Sequence, residues 1–287
     1  MQSSDDSPIE PVETIATEVR RRVGELTPSE RRAAHALLSN YPFAGLETVS
    51  QFAKRAGVSG PSILRFITRF GFDAYADFQL RLKRELEAQV QSPLTRQAPV
   101  SAPGSRFTEF VSALTENVAG TFDALVPAEF DAIVAVLADP KRHIHFVGGR
   151  FTEALAIYMT RHLRVIRADV SLMEGHAATW RDQVIDFGRR DVLMVFDIRR
   201  YQEDVVALAH RAASRGATVI CFTDRWMSPV THVAHHIVAA RTAAPSNWDS
   251  SVALLAVIEV LLAKLTRETW DIAKPRIEAI EMLRQKD

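Results

Sequence analysis

Cysteine is almost absent from this 287-residue chain: Cys221 stands alone. That excludes an intramolecular disulfide framework and suits a reducing compartment. Long apolar runs are missing too. The longest, Val252 to Leu265, is interrupted by Glu259 and Lys264 and falls short of the ~20 residues that a bilayer span needs. Met1 to Glu18 is polar and acidic, without the apolar core of a secretory signal. No internal repeat of solenoid length is present. Net charge is also lacking, because 35 basic and 35 acidic side chains cancel. What remains is ordinary globular composition, 47% hydrophobic and 24% charged, which excludes a wholly disordered chain. At roughly 100–200 residues per domain, the length implies two domains, or one large one with an appendage. A cytoplasmic protein that makes no use of a membrane is expected.

The charge balance conceals an asymmetry. Met1 to Val19 holds five acids and no base. Arg20 to Val90 holds twelve bases against seven acids, a surplus of five, and the remainder is neutral. A small basic module joined to a neutral one is the outline of a polyanion binder with a second function, although a solvated positive surface has the same outline. Gln91 to Ser105 (QSPLTRQAPVSAPGS) has three prolines, a glycine, three serines and no period. It reads as a linker between domains over residues 1–90 and 106–287.

Within the basic module the spacing predicts four short amphipathic helices. Thr27-Pro28-Ser29-Glu30 supplies a hydroxyl cap, an early proline and an acid in the first turn. Ala34, Leu37, Leu38 and Tyr41 then follow at helical spacing before Pro42. Val49, Phe52, Ala53 and Ala56 mark a second helix, broken by Gly57-Val58-Ser59. A third begins at Ser59 and puts Ile63, Phe66, Ile67 and Phe70 on one face. A fourth carries Tyr75, Phe78, Leu82 and Leu86. The short glycine-containing break between the second and third helices is a helix-turn-helix signature. Opposite the apolar stripe of the third helix the sequence places Ser62, Arg65 and Arg69, flanked by Thr68. Small hydroxyls near a helix start, followed by arginines, suit a helix that enters the major groove. Ser59 and Ser62 lie where a positive helix end meets a phosphate, and Lys54 and Arg55 are placed for backbone phosphates. Ordinary surface arginines on a core helix are the alternative.

The second module predicts helices over Phe107 to Leu125 and Glu129 to Leu137. Strand-like runs follow at His143–Gly148, Val165–Ser171, Val192–Ile198, Thr218–Thr223 and His236–Ala240, with helical stretches between most of them and a long helix from Asp249 to Arg267. Short apolar runs alternating with helices imply a five-stranded parallel sheet covered on both faces. Such sheets bind ligands beyond the carboxyl ends of their strands. At Gly148-Gly149-Arg150-Phe151-Thr152 a strand turns into a helix through two glycines, a cation and a hydroxyl, a set that fits a phosphate or carboxylate or simply a tight turn. Asp197-Ile198-Arg199-Arg200-Tyr201-Gln202 offers paired guanidiniums for a doubly charged anion, unless Asp197 and Asp204 neutralise them. Thr223–Pro229 and the polar group Asn247, Ser250 and Ser251 lie at further strand and helix ends.

Both modules together resemble the RpiR/MurR family of bacterial transcriptional regulators, in which a helix-turn-helix domain precedes a SIS (sugar isomerase) domain that senses a phosphosugar. In the first module the similarity is carried above all by VSGPSILRFITRFGFDAYADF. In the second it is carried by IHFVGGRFTEALA, by DVLMVFDIRRYQEDVVALAHRAASRGATVICFTD and by SPVTHVAHHIV. The resemblance implies an all-α DNA-binding domain followed by an α/β SIS domain that forms a homodimer or homotetramer, with operator duplex as partner, a small anionic metabolite such as a sugar phosphate or sugar acid as effector, and no cofactor. Two departures stand out. The family's Gly-x-Gly-x-Ser turn has Arg150 at its second glycine and Thr152 at its serine. The family's Ser-x-Ser-Gly-x-Thr run is replaced by Asp197 to Gln202. Loss of those hydroxyls points to another anionic metabolite, or to a pocket used only for assembly. Gly148, Gly149, Arg150, Thr152, Asp197, Arg199, Arg200, Tyr201 and Gln202 are the effector candidates.

A sugar-phosphate isomerase is the competing class. Glu153, Glu174 and His176 are the available bases, but the attached DNA module and the missing serines argue against an enzyme. His232, His235 and His236 have no cysteine nearby, so a surface or structural role is expected rather than zinc.

Overall fold

The structure is a computed structural model that describes residues 14–90, 94 and 106–284. The chain divides into two units, Met1–Gln91 and Ser92–Asp287. Apart from Leu94, the sequence-derived linker lies outside the described residues.

The first unit contains helices α1 (Ile15–Arg22), α2 (Pro28–Leu38), α3 (Phe43–Leu46), α4 (Val49–Ala56), α5 (Gly60–Arg69) and α6 (Tyr75–Val90). Two of these starts are reciprocal caps. The Thr27 and Glu30 pair opens α2, and the Thr48 and Gln51 pair opens α4. Gly57 ends α4 in the left-handed region at φ +62°, which a side-chain-bearing residue adopts only at a cost. That single residue lets α5 turn across α4. The apolar stripes of α2, α4, α5 and α6 then bury Leu37, Phe52, Ile63, Phe66, Ile67, Phe78 and Leu82 in one core.

The observed helices differ from the four expected. The first expected helix stops at Leu38, and Phe43–Leu46 forms a separate turn of helix after a cis Tyr41–Pro42 bond. Helix α1 was not anticipated, because its pattern of Ile15, Ala16 and Val19 is short and Arg20–Arg22 dominate the segment. It is held by a tertiary contact. Glu85, 4% exposed, accepts hydrogen bonds from Ile15 N at 3.1 Å, from Arg81 Nε at 3.0 Å and from the Tyr41 hydroxyl.

The second unit opens with α7 (Arg106–Ala124) and α8 (Pro127–Ala138). Strands β1 (His143–Gly148), β2 (Val170–Leu172), β3 (Asp191–Asp197), β4 (Thr218–Asp224) and β5 (His236–Ala240) alternate with α9 (Glu153–Ile166), α10 (Ala177–Val184) and α11 (Glu203–Ser214). A 3-10 turn (Pro229–His232) precedes β5, and α12 (Val252–Glu268) and α13 (Trp270–Arg284) follow it. All neighbouring strands pair in parallel, in the order β2-β1-β3-β4-β5. Alternate residues serve opposite faces. Ile144, Phe146, Met194, Phe196, Ile220 and Phe222 pack under α9 and α12, whereas Val147, Leu193, Val195, Val219 and Cys221 pack against α11.

The second strand is a correction. Val165 and Ile166 belong to the last turn of α9, where Ile166 is buried, and the strand begins at Val170 after a left-handed turn at Asp169. Arg167 sets this geometry. It is 8% exposed, and its guanidinium donates to the Leu137, Asp139 and Arg142 carbonyls. A helix end anchored by tertiary hydrogen bonds leaves no trace in local periodicity.

Candidate functional site

Two places carry chemistry. In the first unit, α4, the Gly57–Ser59 turn and α5 form a helix-turn-helix. The exposed residues of α5 are Pro61, Leu64, Arg65, Thr68 and Arg69. This face is rotated from the expected one, because Ser62 is buried (7% exposed) rather than presented. The Ser62 hydroxyl meets Ser59 Oγ at 2.9 Å and accepts from Arg65 Nη2 at 3.0 Å. Its part is to brace Arg65. Arg69 is exposed but committed to its own unit, donating to Glu25 O at 2.8 Å and lying 3.7 Å from Glu30. Lys54 and Arg55 sit exposed in the last turn of α4, and Arg55 Nε donates to Glu47 at 3.1 Å. Leu64, 44% exposed, was missed by the sequence reading. Its signal was the spacing of four residues to Thr68, hidden because a leucine in an apolar helix reads as core.

The second place is the crevice at the carboxyl ends of the strands. In the order β2-β1-β3 the succession of strands across the sheet reverses between β1 and β3, the switch point where open α/β sheets hold ligands. Gly148 pairs with Phe196 there. A Cβ on Gly148 would lie 2.5 Å from Glu153 N, so only glycine lets α9 start this close to β1. The Gly149 amide donates to Phe196 O at 3.0 Å and to Thr152 Oγ1 at 2.9 Å. Thr152, 2% exposed, returns its own hydrogen to Phe196 O. Its hydroxyl is therefore a tie between turn and strand and is not offered to a ligand. The Gln202 side chain folds back to accept from Arg150 N.

The Asp197–Gln202 loop is acidic at its base. Asp197 is 1% exposed and accepts from the Ser228 hydroxyl at 2.5 Å. Burial, opposed by the Ser228 and Gln202 hydrogen bonds and aided by Asp224 and Asp204, pushes its carboxyl up to about 7. Asp224 is fully buried. It accepts from Arg199 N at 2.6 Å, Tyr201 Oη at 2.7 Å and Trp226 N at 2.9 Å, and burial raises its carboxyl pKa against those bonds. Tyr201 is thus spent on Asp224, and burial raises its own pKa in turn. The Arg199 side chain is 7% exposed and its Nε lies 3.3 Å from Asp249 Oδ2, with the guanidinium 5.8 Å from the Trp226 ring. The indole Nε1 of Trp226 is buried without a hydrogen-bond partner, a state that native proteins rarely leave unanswered. Arg150 and Arg200 are exposed. Phe151 meets Trp248 edge-on at 5.5 Å.

The structure therefore brings Gly148–Thr152 and Asp197–Gln202 together. It also brings in Asp224, Trp226 and Ser228 from the Thr223–Pro229 run, and Asp249, which the sequence flagged only through its neighbours. Glu153, Glu174 and His176 are exposed, and His176 Nδ1 caps α10 by accepting from Ala178 N at 3.3 Å.

A separate cleft of about 490 Å³ opens at the opposite, amino ends of β1 and β3, lined by His143, His145, Phe187 and Asp191 among others. His145 there bridges Ser171 at 2.8 Å and Asp191 at 2.9 Å, and burial lowers its pKa against the pull of Asp191. Its position is remote from the strand ends where helix amides converge. Among the described residues no group of three or more histidines, cysteines and carboxylates is arranged to hold a metal. His235 instead accepts from Val219 N at 3.1 Å, and His236 pairs with Glu129 at 3.1 Å. No helix among the described residues is long and apolar enough to cross a membrane.

Two family models match the chain. One describes a helix-turn-helix domain of the rpiR family and covers residues 13–89; the other describes a SIS domain and covers residues 137–264. The HTH-type transcriptional regulator HexR of Pseudomonas aeruginosa is 25% identical over 218 residues, 74% of each chain. An HTH-type regulator of Haemophilus influenzae is 24% identical over 257 residues, covering 86% of this chain and 88% of the relative. Among solved structures, the sugar isomerase domain of an RpiR transcription factor from Sphaerobacter thermophilus superposes at TM-score 0.58 with 24% identity, covering 62% of this chain and 99% of that one. The Vibrio vulnificus NanR protein, solved with ManNAc-6P, superposes at 0.54 with 17% identity, covering 93% and 98%. These two likenesses concern the fold.

Proposed function

This chain belongs to the RpiR family of helix-turn-helix transcriptional regulators with a SIS domain, and on that premise we propose that α5 reads an operator while a small anionic metabolite, held between β1 and β3, changes the affinity for DNA. The single observation that carries the DNA half is the outward face of α5. Arg65 stands exposed on it with one guanidinium nitrogen braced by buried Ser62 at 3.0 Å. A pre-oriented fork of this kind suits the O6 and N7 acceptors of guanine. Lys54 on α4 adds a phosphate contact. One short helix reads too few base pairs for tight binding, so a homodimer or homotetramer through the SIS units, acting in the cytoplasm on a palindromic site, completes the reading.

The effector half rests on the crevice. Arg150 and Arg200 are exposed cations, and Arg199 is one with a buried side chain whose partner, Asp249, lies on the loop between β5 and α12. An incoming carboxylate or phosphate competes with Asp249 for Arg199, accepts from Trp226 Nε1 and displaces that loop. The phosphate hydroxyls usual in the family are replaced here, which favours a sugar acid over a simple phosphosugar. The neighbouring fold solved with ManNAc-6P supports a sugar-derived ligand. An isomerase finds less support, since the exposed bases lie outside the buried part of the crevice.

The test is a gel shift with the full chain and duplexes that it selects from a random pool. Arg65→Ala should weaken binding about tenfold or more, the worth of one bidentate base contact. Arg69→Ala should leave it within about threefold, because Arg69 is tied to Glu25 and Glu30. Unchanged binding by Arg65→Ala removes Arg65 from base reading.

A further inference from the structure

The exposed face of α5 is poor in hydrogen-bond donors. Pro61 has none. The Thr68 hydroxyl donates to Leu64 O at 3.0 Å, so its hydrogen is taken. Ser62 is buried, and Arg69 is bound to Glu25 O. Arg65 is left as the one donor on this face that is neither buried nor tied to main chain, and beside it stands Leu64, 44% exposed. The core side of α5 is held by buried Ile63, Phe66 and Ile67, and Leu64 stands outside it. An exposed leucine adjoining an exposed arginine whose fork is braced by Ser62 is a chemical statement about the surface that it meets.

We propose that Leu64 is a specificity-determining residue that reads a thymine C5-methyl group in the operator, next to the guanine taken by Arg65. The proposal rests on the reading of α5 as the DNA-contacting helix. The major groove displays one apolar feature, the thymine methyl, and an aliphatic side chain distinguishes it from cytosine by contact rather than by hydrogen bonding. Adjacent residues on a helix differ by 1.5 Å in rise and 100° in direction. The thymine should therefore fall within about two base pairs of the guanine, given base steps of about 3.4 Å. The exposed residues of α5 include no Asn or Gln, the side chains that pair bidentately with N6 and N7 of adenine.

The experiment has two steps, both with the full chain. Selection from a random duplex library should enrich half-sites that hold a thymine within two base pairs of an invariant guanine. Deoxyuridine is then placed at that thymine, which deletes the methyl and nothing else. The wild type should lose about fourfold in affinity, the worth of one buried methyl. Leu64→Ala should bind more weakly and be indifferent to deoxyuridine, while Leu64→Gln should shift the selected base away from thymine. Enriched sites without thymine beside the guanine, a wild type indifferent to deoxyuridine, or Leu64→Ala that keeps full sensitivity would each overturn the assignment. Failure to enrich any sequence overturns the DNA reading itself, and Leu64's part with it.

Discussion

Replacing Asp249 with asparagine keeps the shape of the β5–α12 loop and removes the charge that faces Arg199. The pair is nearly enclosed, with 7% of the arginine side chain and 15% of the aspartate exposed and 3.3 Å between Nε and Oδ2. At that distance and an effective dielectric of about 20, the Coulomb attraction is about 5 kcal/mol. Desolvation of two side chains offsets much of it, but removal of one partner strands the other, and the net loss is about 3 kcal/mol. For a unit of this size each kilocalorie moves the midpoint by about 3 °C, so the second unit should melt roughly 9 °C lower. Differential scanning calorimetry of the full chain at fixed ionic strength resolves this. Inorganic phosphate should then recover part of the loss in Asp249→Asn and stabilise the wild type less, because only the variant leaves Arg199 without a carboxylate. Equal melting of the two proteins, or equal stabilisation of both by phosphate, would refute the idea that Asp249 holds the place of a ligand's anion.

Two other outcomes follow from the same crevice. Gly148→Ala puts a Cβ 2.5 Å from the Glu153 amide nitrogen, contact with backbone that cannot step aside, and should cost about 3 kcal/mol in the second unit; an unchanged urea midpoint would show that α9 can shift. Asp197, pushed from 3.8 to about 7, holds a proton in the folded chain that the unfolded chain releases. Its contribution to stability is therefore full below pH 4 or so, and is lost as pH rises through about 7. Asp197→Asn should flatten the fall in unfolding free energy between about pH 4 and 7. Parallel loss in variant and wild type would place the titration elsewhere.

Much of the architecture was legible because it is written in short-range periodicity. The alternation of apolar runs and helices disclosed a five-stranded parallel sheet, and Thr27, Gly57 and Gly148 marked a cap and two tight junctions by residue type alone. The strand ends of β1 and β3 were identifiable as a candidate site for the same reason, since parallel sheets leave helix amides at that end. Where the reading failed, long-range contacts had intervened. Helix α1 is pinned by Glu85, which lies far along the chain. The end of α9 is set by Arg167 hooking three carbonyls.

Sequence by itself determined that this protein is a basic helix-turn-helix module joined to a parallel α/β body, because helical and strand periods, capping residues and glycine turns act over a few residues. Tertiary structure alone decided which side chains remain available. Ser62, Thr152 and Tyr201 look like ligand groups in a linear chain, yet each finds a partner inside the fold. Leu64 does not stand out among the leucines until packing shows it exposed. Burial and hydrogen-bond satisfaction depend on neighbours brought from elsewhere in the chain, and no local pattern encodes them.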